Sequence, residues 1–480
     1  MPGDSRAIWP AAPAHVHLLG ICGYAVSGLA LALDELGYFV TGADEDAYPP
    51  TTDILGARGI AFATYHDPAN LDRWGTPEVV ILGNQVQQGN RELESALARG
   101  LAVVSEAGAQ GYLASGRPRV VVCGTHGKTT TSSLLALMLE GAGLRPGFRL
   151  GSTSRDFGSS VRLGDLTTPF VFEGDEYSTS ALDRRAKFLH WRPQIVTLLN
   201  LELDHPDLYP DLQAYLVPYR ELLAQNPGPD LILVNGEDDL AQELAVASLH
   251  EVQTWGGATS QWRFLGPPRI ANGHQELRIQ TPDGLSVQMT LPMFGRHNAS
   301  NALGALATAA ALGADPAAAA AAVANFRGAA RRFEIIGEAG GITVVDDYAH
   351  HPTKLRATIA AARQWVGEDS QLILVHVPHT YSRTLALLDD YETAFVGADL
   401  VLLGSIEPAR ERSLAGTVSS ADVAARARGT EIVMVGDAEE AVQLVRERVR
   451  PPALVVCSSV RGFDQVAMRI LANLDGREPG

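Results

Sequence analysis

The chain has 480 residues, 46% hydrophobic and 19% charged, the balance of an ordinary soluble globular protein with room for two to four domains. A formal net charge of −17 argues against a nucleic-acid partner, which needs a basic face, but leaves room for anionic small ligands at locally positive loops. No apolar run approaches the ~20 residues of a membrane span and no basic-then-apolar leader is evident, so no membrane partner and a cytoplasmic location are expected.

In chain order, the pattern separates three regions, with boundaries expected at 1–115, 116–331 and 332–480. In the first, short apolar runs at 15–20, 38–43, 79–84 and 101–105 read as strands of a small parallel α/β unit, with a helix over about 24–36. Gly20-Ile-Cys-Gly23-Tyr-Ala-Val-Ser27-Gly28 follows the first strand and Asp44 ends the second. This is similar to a dinucleotide-binding turn with its ribose-binding acid, although the spacing is not G-x-G-x-x-G. It suits a diphosphate or a tight structural turn equally, and it does not specify a nicotinamide.

The second region opens with Val120-Val-Val-Cys-Gly124-Thr-His-Gly127-Lys128-Thr-Thr-Thr131. The valines predict a buried strand and Thr130 onward a helix. Gly124 and Gly127 would let backbone N–H groups close on phosphate oxygens at the helix N-terminus. Lys128 is one of only three lysines in a chain that otherwise uses arginine, a compact ammonium kept where a planar guanidinium substitutes poorly. In such a loop the lysine bridges the β- and γ-phosphates and the Thr129 hydroxyl ligates Mg²⁺, so a nucleoside triphosphate is the expected ligand. Further parallel strands are predicted at 170–175, 195–200 and 230–235.

Glu173, Asp175 and Glu176 put three carboxylates at the end of a buried strand, costly unless a cation balances them. Glu173 is the metal-ligand candidate among them. Asp204-His205-Pro-Asp207 repeats the arrangement after the next strand, with His205 a candidate for a second Mg²⁺ or for a phosphate. Alternation on both sides of Pro282-Asp-Gly284 predicts a hairpin, an antiparallel patch appended to the parallel sheet. Helices follow at 298–312 and 316–325. Asn298 and Asn301 share a face of the first and suit either an adenine edge or helix capping.

The third region is another α/β unit, with strands predicted at 333–338, 342–346, 372–377, 400–403, 432–435 and 454–457. Asp346-Asp347-Tyr-Ala-His350-His351-Pro-Thr-Lys354 ends its second strand and opens a helix. The three cysteines (Cys22, Cys123, Cys457) are too scattered for a disulfide framework or a zinc site and read as small buried hydrophobes.

Taken together, the phosphate loop, the Glu173-Gly-Asp-Glu-Tyr177 strand end, Asp204-His205-Pro-Asp207, His297-Asn298-Ala-Ser-Asn301 and Asp346-Asp-Tyr-Ala-His-His-Pro352 resemble the Mur ligase family over essentially the whole chain. The resemblance implies a Rossmann-like first domain for a UDP-muramoyl substrate, a phosphate-loop ATPase centre and a Rossmann-like third domain for the incoming amine. It implies an ATP- and Mg²⁺-dependent ligase that activates the carboxylate of UDP-N-acetylmuramate as an acyl phosphate for attack by an amine. Carried over residue by residue, Gly124, Thr125, His126, Gly127, Lys128, Thr129, Thr130, Asn298, Asn301, Asp346 and Arg383 would bind ATP. Thr129, Glu173 and His205 would hold metal, and Lys128, Glu173, His205, Asp347 and His350 would serve catalysis, His350 or His351 as base for the amine. Gly20, Gly23, Ser27, Gly28, Asp44 and Asn84 would hold the UDP substrate.

Within the family, His17-Leu-Leu-Gly-Ile-Cys-Gly23, Gly83-Asn84 and Asp183-Arg-Arg-Ala-Lys187-Phe-Leu-His190 are similar to the branch that returns L-Ala-γ-D-Glu-meso-diaminopimelate to UDP-N-acetylmuramate in peptidoglycan recycling. Pro378-His379-Thr-Tyr381-Ser-Arg383 and Ser459-Val-Arg-Gly-Phe-Asp464 depart toward the alanine-adding branch of de novo synthesis. No lysine stands between Lys187 and Lys354, so the carbamoylated lysine that several family members place there is absent. Two rival readings are a nucleotide-gated regulatory switch and, if the first region held a nicotinamide, an oxidoreductase.

Overall fold

The computed structural model describes residues 9–476 apart from positions 50, 207, 226, 272, 410, 461, 462 and 464; Asp207 and Asp464 of the motifs above therefore lie outside the described residues. Three mixed α/β units follow one another, each around its own sheet.

The first sheet is five-stranded and wholly parallel. Its central strand, His15–Leu19, lies between Phe39–Ala43 and Val79–Leu82, with the short strand Ala61–Ala63 and strand Ala102–Ser105 at the edges. Chain order reverses across the central strand, and the glycine turn leaves its carboxyl end there, where ligands of such sheets dock. The apolar side chains Val16, Leu18, Val40, Val79 and Ile81 bury into one core with helix Tyr24–Glu35.

The second sheet has seven strands, in the order Glu251–Trp255, Leu231–Asn235, Ile195–Leu198, Arg119–Cys123, Phe170–Gly174, Gly147–Ser154 and Ser159–Arg162. Strand Arg119–Cys123 is central and reads Val-Val-Val-Cys because both its faces are covered. Val120 and Val122 enter one core, Val121 and Cys123 the other. The outer pair, Gly147–Ser154 with its antiparallel partner Ser159–Arg162, was not expected from sequence. Nor was the two-stranded hairpin of Ser178–Ser180 and Asp183–Ala186.

The antiparallel patch is present but corrects the expectation: strands Arg263–Phe264, Arg269–Ala271, His274–Gln280 and Ser286–Leu291 form a separate four-stranded sheet, not an extension of the parallel one. Its buried face (Leu277, Ile279, Val287, Met289, Leu291) packs in the core that also takes helix Arg296–Ala311. The third sheet is six-stranded and parallel except for its edge strand Glu334–Ala339, which runs antiparallel to Ile342–Asp347. No helix among the described residues is long and apolar enough to cross a membrane.

Candidate active site

Strand Arg119–Cys123 delivers the chain into a turn that only glycine satisfies. Gly124 has φ 132° and Gly127 φ 84°, and a Cβ on Gly127 would stand 2.5 Å from the Asn301 carboxamide oxygen. Helix Lys128–Gly141 starts at once, with no acidic residue in its first turn to compete for an anion. The turn is pinned from the side: the Thr125 N–H donates to the Asn200 carbonyl at 2.8 Å and the His126 N–H to the Asn200 side chain at 2.8 Å.

Lys128 lies in the turn, its Nζ donating to the Gly124 carbonyl at 2.7 Å and to Glu176 Oε2 at 2.8 Å. Burial alone would pull the ammonium's pKa down, but Glu176, with Asp175 and Glu173, outweighs it and holds the pKa above its ordinary value. Glu176 Oε1 meets His205 Nε2 at 2.9 Å, and Arg383 Nη2 donates to His205 Nδ1 at 3.1 Å. The Arg383 Nε closes the array by donating to Asp204 Oδ1 at 3.0 Å. Burial raises the Asp204 carboxyl's pKa, yet His205, Arg383 and Lys354 together force it well below the usual range. A buried relay of alternating charge thus runs from the phosphate loop to the third domain.

Beside it, the Thr129 hydroxyl donates to Glu173 Oε1 at 2.7 Å, and Glu173 Oε2 accepts the Gly151 N–H at 2.5 Å. A Cβ on Gly151 would lie 2.3 Å from that carboxylate, so the glycine leaves room for it. A hydroxyl and a carboxylate are the hard oxygen donors that suit Mg²⁺. His205 fits that role less directly: its two ring nitrogens face Glu176 and Arg383, not Glu173. It also holds a left-handed backbone at φ 56°, uncommon for a non-glycine residue.

The remaining expected residues divide. Asn301 is placed against the phosphate loop, but Asn298 donates to the Phe294 carbonyl at 2.8 Å and so ties its helix to the segment before it. Thr130 is buried in the first helical turn. Asp346 is taken by Arg331, whose Nε donates to it at 2.9 Å. Asp347 accepts the N–H groups of Phe333 at 2.7 Å and Ala349 at 2.8 Å, which fixes the strand end rather than pointing a free carboxylate at a ligand. His350 Nδ1 faces the Tyr348 carbonyl at 2.8 Å, which places the proton there and the lone pair on Nε2. Burial, then Lys354 and Arg383, push the pKa of His350 well below its usual value and keep it neutral.

Sequence reasoning missed Glu176 as the counter-ion of Lys128, although it stood in the same carboxylate cluster. Also missed were Arg332, whose Nη2 reaches Thr129 Oγ1 at 3.4 Å, and Lys354, 3.9 Å from Asp204. Burial brings the pKa of Lys354 down to about 8 despite Asp204.

In the first domain, Gly20 has φ 78°, the Gly23 N–H donates to the Gly20 carbonyl at 3.0 Å and the Ser27 N–H to the Gly23 carbonyl at 2.8 Å. Asp44 closes on the same turn, accepting the Cys22 N–H at 2.8 Å. Gly28 has a different duty: its Cβ would stand 2.6 Å from Val161, so it lets helix Tyr24–Glu35 approach the central domain. Asn84 lines a cavity of about 410 Å³ between the two domains, together with Gln85, Gln88, Tyr177, Arg184 and Leu208.

A glycine-bent phosphate loop, hard oxygen donors beside it and cationic side chains arriving from a third α/β unit define a multidomain nucleotide enzyme. Residues 15–117 match the family model described as the Mur ligase family, catalytic domain, residues 122–309 the Mur ligase middle domain, and residues 331–461 the Mur ligase, glutamate ligase domain. The chain belongs to the Mur ligase family, as an ATP-dependent ligase.

It is 36% identical over 468 residues to the UDP-N-acetylmuramate–L-alanine ligase of Roseiflexus castenholzii, covering 92% of this chain and 94% of that one. It is 34% identical over 465 residues to the UDP-N-acetylmuramate–L-alanyl-γ-D-glutamyl-meso-2,6-diaminoheptandioate ligase of Escherichia coli, covering 96% and 98%. Among solved structures, the murein peptide ligase of Psychrobacter arcticus superimposes with a TM-score of 0.68 at 27% identity, covering 97% of this chain and 100% of that one.

Proposed function

We propose that this ligase joins the carboxylate of UDP-N-acetylmuramate to the amine of an L-Ala-γ-D-Glu-meso-diaminopimelate-type peptide, the reaction of a murein peptide ligase in cytoplasmic peptidoglycan recycling. The observation that carries this is the inter-domain cavity. Asn84 on one wall and Arg184 on the other belong to two of the three stretches that resemble the peptide-adding branch, and they line the same space.

ATP would enter over Gly124–Thr130. Thr129 and Glu173 would hold Mg²⁺, which when bound neutralises the developing charge on the transferred phosphoryl group. Lys128 supplies a fixed ammonium at the loop, and Arg383 brings a guanidinium from the third domain. His205, held between Glu176 and Arg383, positions Glu176 against Lys128. The phosphoryl group passes to the muramoyl carboxylate, and the acyl phosphate must be kept from water until the amine attacks, a task for the third domain's closure. His350, neutral with its Nε2 lone pair free, is the residue assigned to take the amine's proton.

Alanine addition is the second reading, favoured by the Pro378–Arg383 segment and by the 36% identity to an alanine-adding relative. Phosphate release and product mass, measured with UDP-N-acetylmuramate plus either the tripeptide or L-alanine, separate the two. Predominant alanine addition replaces the first reading by the second. Equal ADP formation with neither acceptor present would sink both.

A further inference from the structure

Lys354 stands in the first turn of the third-domain helix Pro352–Val366, where an ammonium opposes the helix dipole and no acidic neighbour in that turn balances it. Its side chain is only 19% exposed, and its Nζ lies 3.9 Å from Asp204 Oδ2, beyond hydrogen-bond reach. It donates a hydrogen bond to no described residue. Nor does Asp204 depend on it, because Asp204 Oδ1 already accepts Arg383 Nε at 3.0 Å and the His205 N–H at 2.8 Å. Largely burying an ammonium without a hydrogen bond is unfavourable, so the fold alone gives no reason for this lysine.

The groups around it indicate what would complete it. Arg332 Nη2 reaches Thr129 Oγ1 at 3.4 Å, and Lys128 lies in the phosphate loop. Burial, with Arg332, Lys128 and Arg383 as neighbouring cations, outweighs Asp204 and brings the pKa of Lys354 down to about 8. The nearby carboxylates are already committed: Glu176 to Lys128, Asp204 to Arg383 and Glu173 to Thr129. Four positive side chains gathered beside a phosphate loop are a set that a compact, multiply charged anion neutralises. The terminal phosphate of a nucleoside triphosphate is such an anion.

We propose, given Gly124–Thr130 as the ATP site, that Lys354 is a catalytic residue whose ammonium contacts the terminal phosphoryl group from the third-domain side. The identity of the amine does not enter. In the transfer, the bond from the γ-phosphorus to the β,γ-bridging oxygen breaks, a muramoyl carboxylate oxygen forms the new bond, and ADP leaves with the electron pair. Lys354 keeps its proton throughout and neutralises charge on the equatorial oxygens. A rotatable point charge suits a group that moves between two partners better than a planar fork does. Until ATP arrives, Asp204 holds the ammonium in waiting.

The test compares the full chain with Lys354→Gln. A non-hydrolysable ATP analogue, titrated by calorimetry with Mg²⁺ present, should bind the variant about tenfold more weakly, and ADP within about twofold of the parent. Phosphate release should fall about 10²-fold in kcat with whichever acceptor the parent uses, and KM for that acceptor should change by no more than about twofold. Equal losses for ADP and the analogue, or no loss for either, overturn the assignment. So does a raised acceptor KM with unchanged analogue affinity, which would give Lys354 to an acceptor carboxylate. A second measurement needs no variant: reductive methylation of the unaltered protein, mapped by mass spectrometry, should be slowed at Lys354 by the analogue and not by ADP. Equal labelling with either nucleotide counts against Lys354 as well. Full analogue affinity in Lys128→Ala is a separate result, which would remove the ATP site itself and the role of Lys354 with it.

Discussion

The first and central domains each carry a strand that ends in glycine and feeds a helix, and the two turns are equipped for anions by different means. At Gly20–Gly23 the turn is neutral: helix Tyr24–Glu35 has no charged residue in its first turn, and Asp44 is spent on the Cys22 N–H. At Gly124–Lys128 the turn holds a half-buried ammonium whose buried counter-ion, Glu176, is itself held by His205 and thence by Arg383. Backbone dipoles alone suit a diphosphate that is mainly positioned. A triphosphate whose terminal group must be transferred needs a full charge aimed at it. The Lys128–Glu176 pair keeps that charge tolerable in a buried place before phosphate oxygens arrive.

The sharpest way to break this contrast is Lys128→Ala. Phosphate release with both substrates should fall by about 10³-fold, the scale of losing a preorganised charge at a transition state. Binding of the UDP-sugar, followed by calorimetry without ATP, should stay within about twofold of the unaltered protein. The reciprocal variant, Asp44→Ala, loosens the neutral turn and should raise KM for the UDP-sugar about tenfold with little change in kcat. If Lys128→Ala and Asp44→Ala instead depress kcat alike, the two turns do not divide their work.

Glu176→Gln asks whether the counter-ion is structural. Removing one partner of a buried ion pair is destabilising by about 3–5 kcal/mol, because the other charge stays behind. Urea unfolding without nucleotide should show a loss of that order, reduced by a non-hydrolysable ATP analogue whose phosphates replace the carboxylate. A variant as stable as the parent would mean that water takes the place of Glu176 at the half-buried Lys128 and that the pair is not structural.

The phosphate loop was legible in the sequence because everything that defines it is local: an apolar strand, two glycines, a lysine and a helix within a dozen residues. Its surroundings were not. Glu173, Asp175 and Glu176 look equivalent on paper, and only the fold turns Glu176 onto Lys128 and Glu173 onto Thr129. The hairpin of Gly147–Ser154 and Ser159–Arg162 escaped notice because only Phe148 and Leu150 alternate before Gly151, Ser152 and Ser154 break the pattern. Arg149 is buried beside Glu106 of the first domain, 3.8 Å away, and over the Trp191 ring. The family resemblance assigns Asp347 to catalysis, yet in the fold its oxygens are used by backbone N–H groups.

Gly28 shows the same limit and yields a smaller prediction. Read locally it belongs to a ligand turn; in the fold it meets Val161, from the hairpin that sequence did not reveal. Gly28→Ala should cost about 1–3 kcal/mol by overpacking, visible as a lowered unfolding midpoint. Val161→Ala in the same chain should recover part of it. A loss of UDP-sugar affinity with unchanged stability would return Gly28 to the binding turn.

The weakest effect expected is a pH dependence confined to the first domain, whose polar core contrasts with the charged relay of the centre. Glu92 is fully buried, with His17 Nε2 at 2.7 Å from one oxygen, and His66 Nδ1 and the Asn70 amide both at 3.2 Å from the other. Burial raises its pKa, but His17 and His66 outweigh that and leave it below its ordinary value of 4.5. A carboxylate with a depressed folded pKa stabilises the native state fully above its unfolded pKa. It surrenders that contribution as pH falls through the folded value. Glu92→Gln should therefore lower stability near neutrality, and the gap to the parent should narrow as the medium is acidified below about 4.5. Chemical denaturation of both proteins at stepped pH reads this directly. A gap that widens in acid would assign the group the opposite shift and detach it from the two histidines.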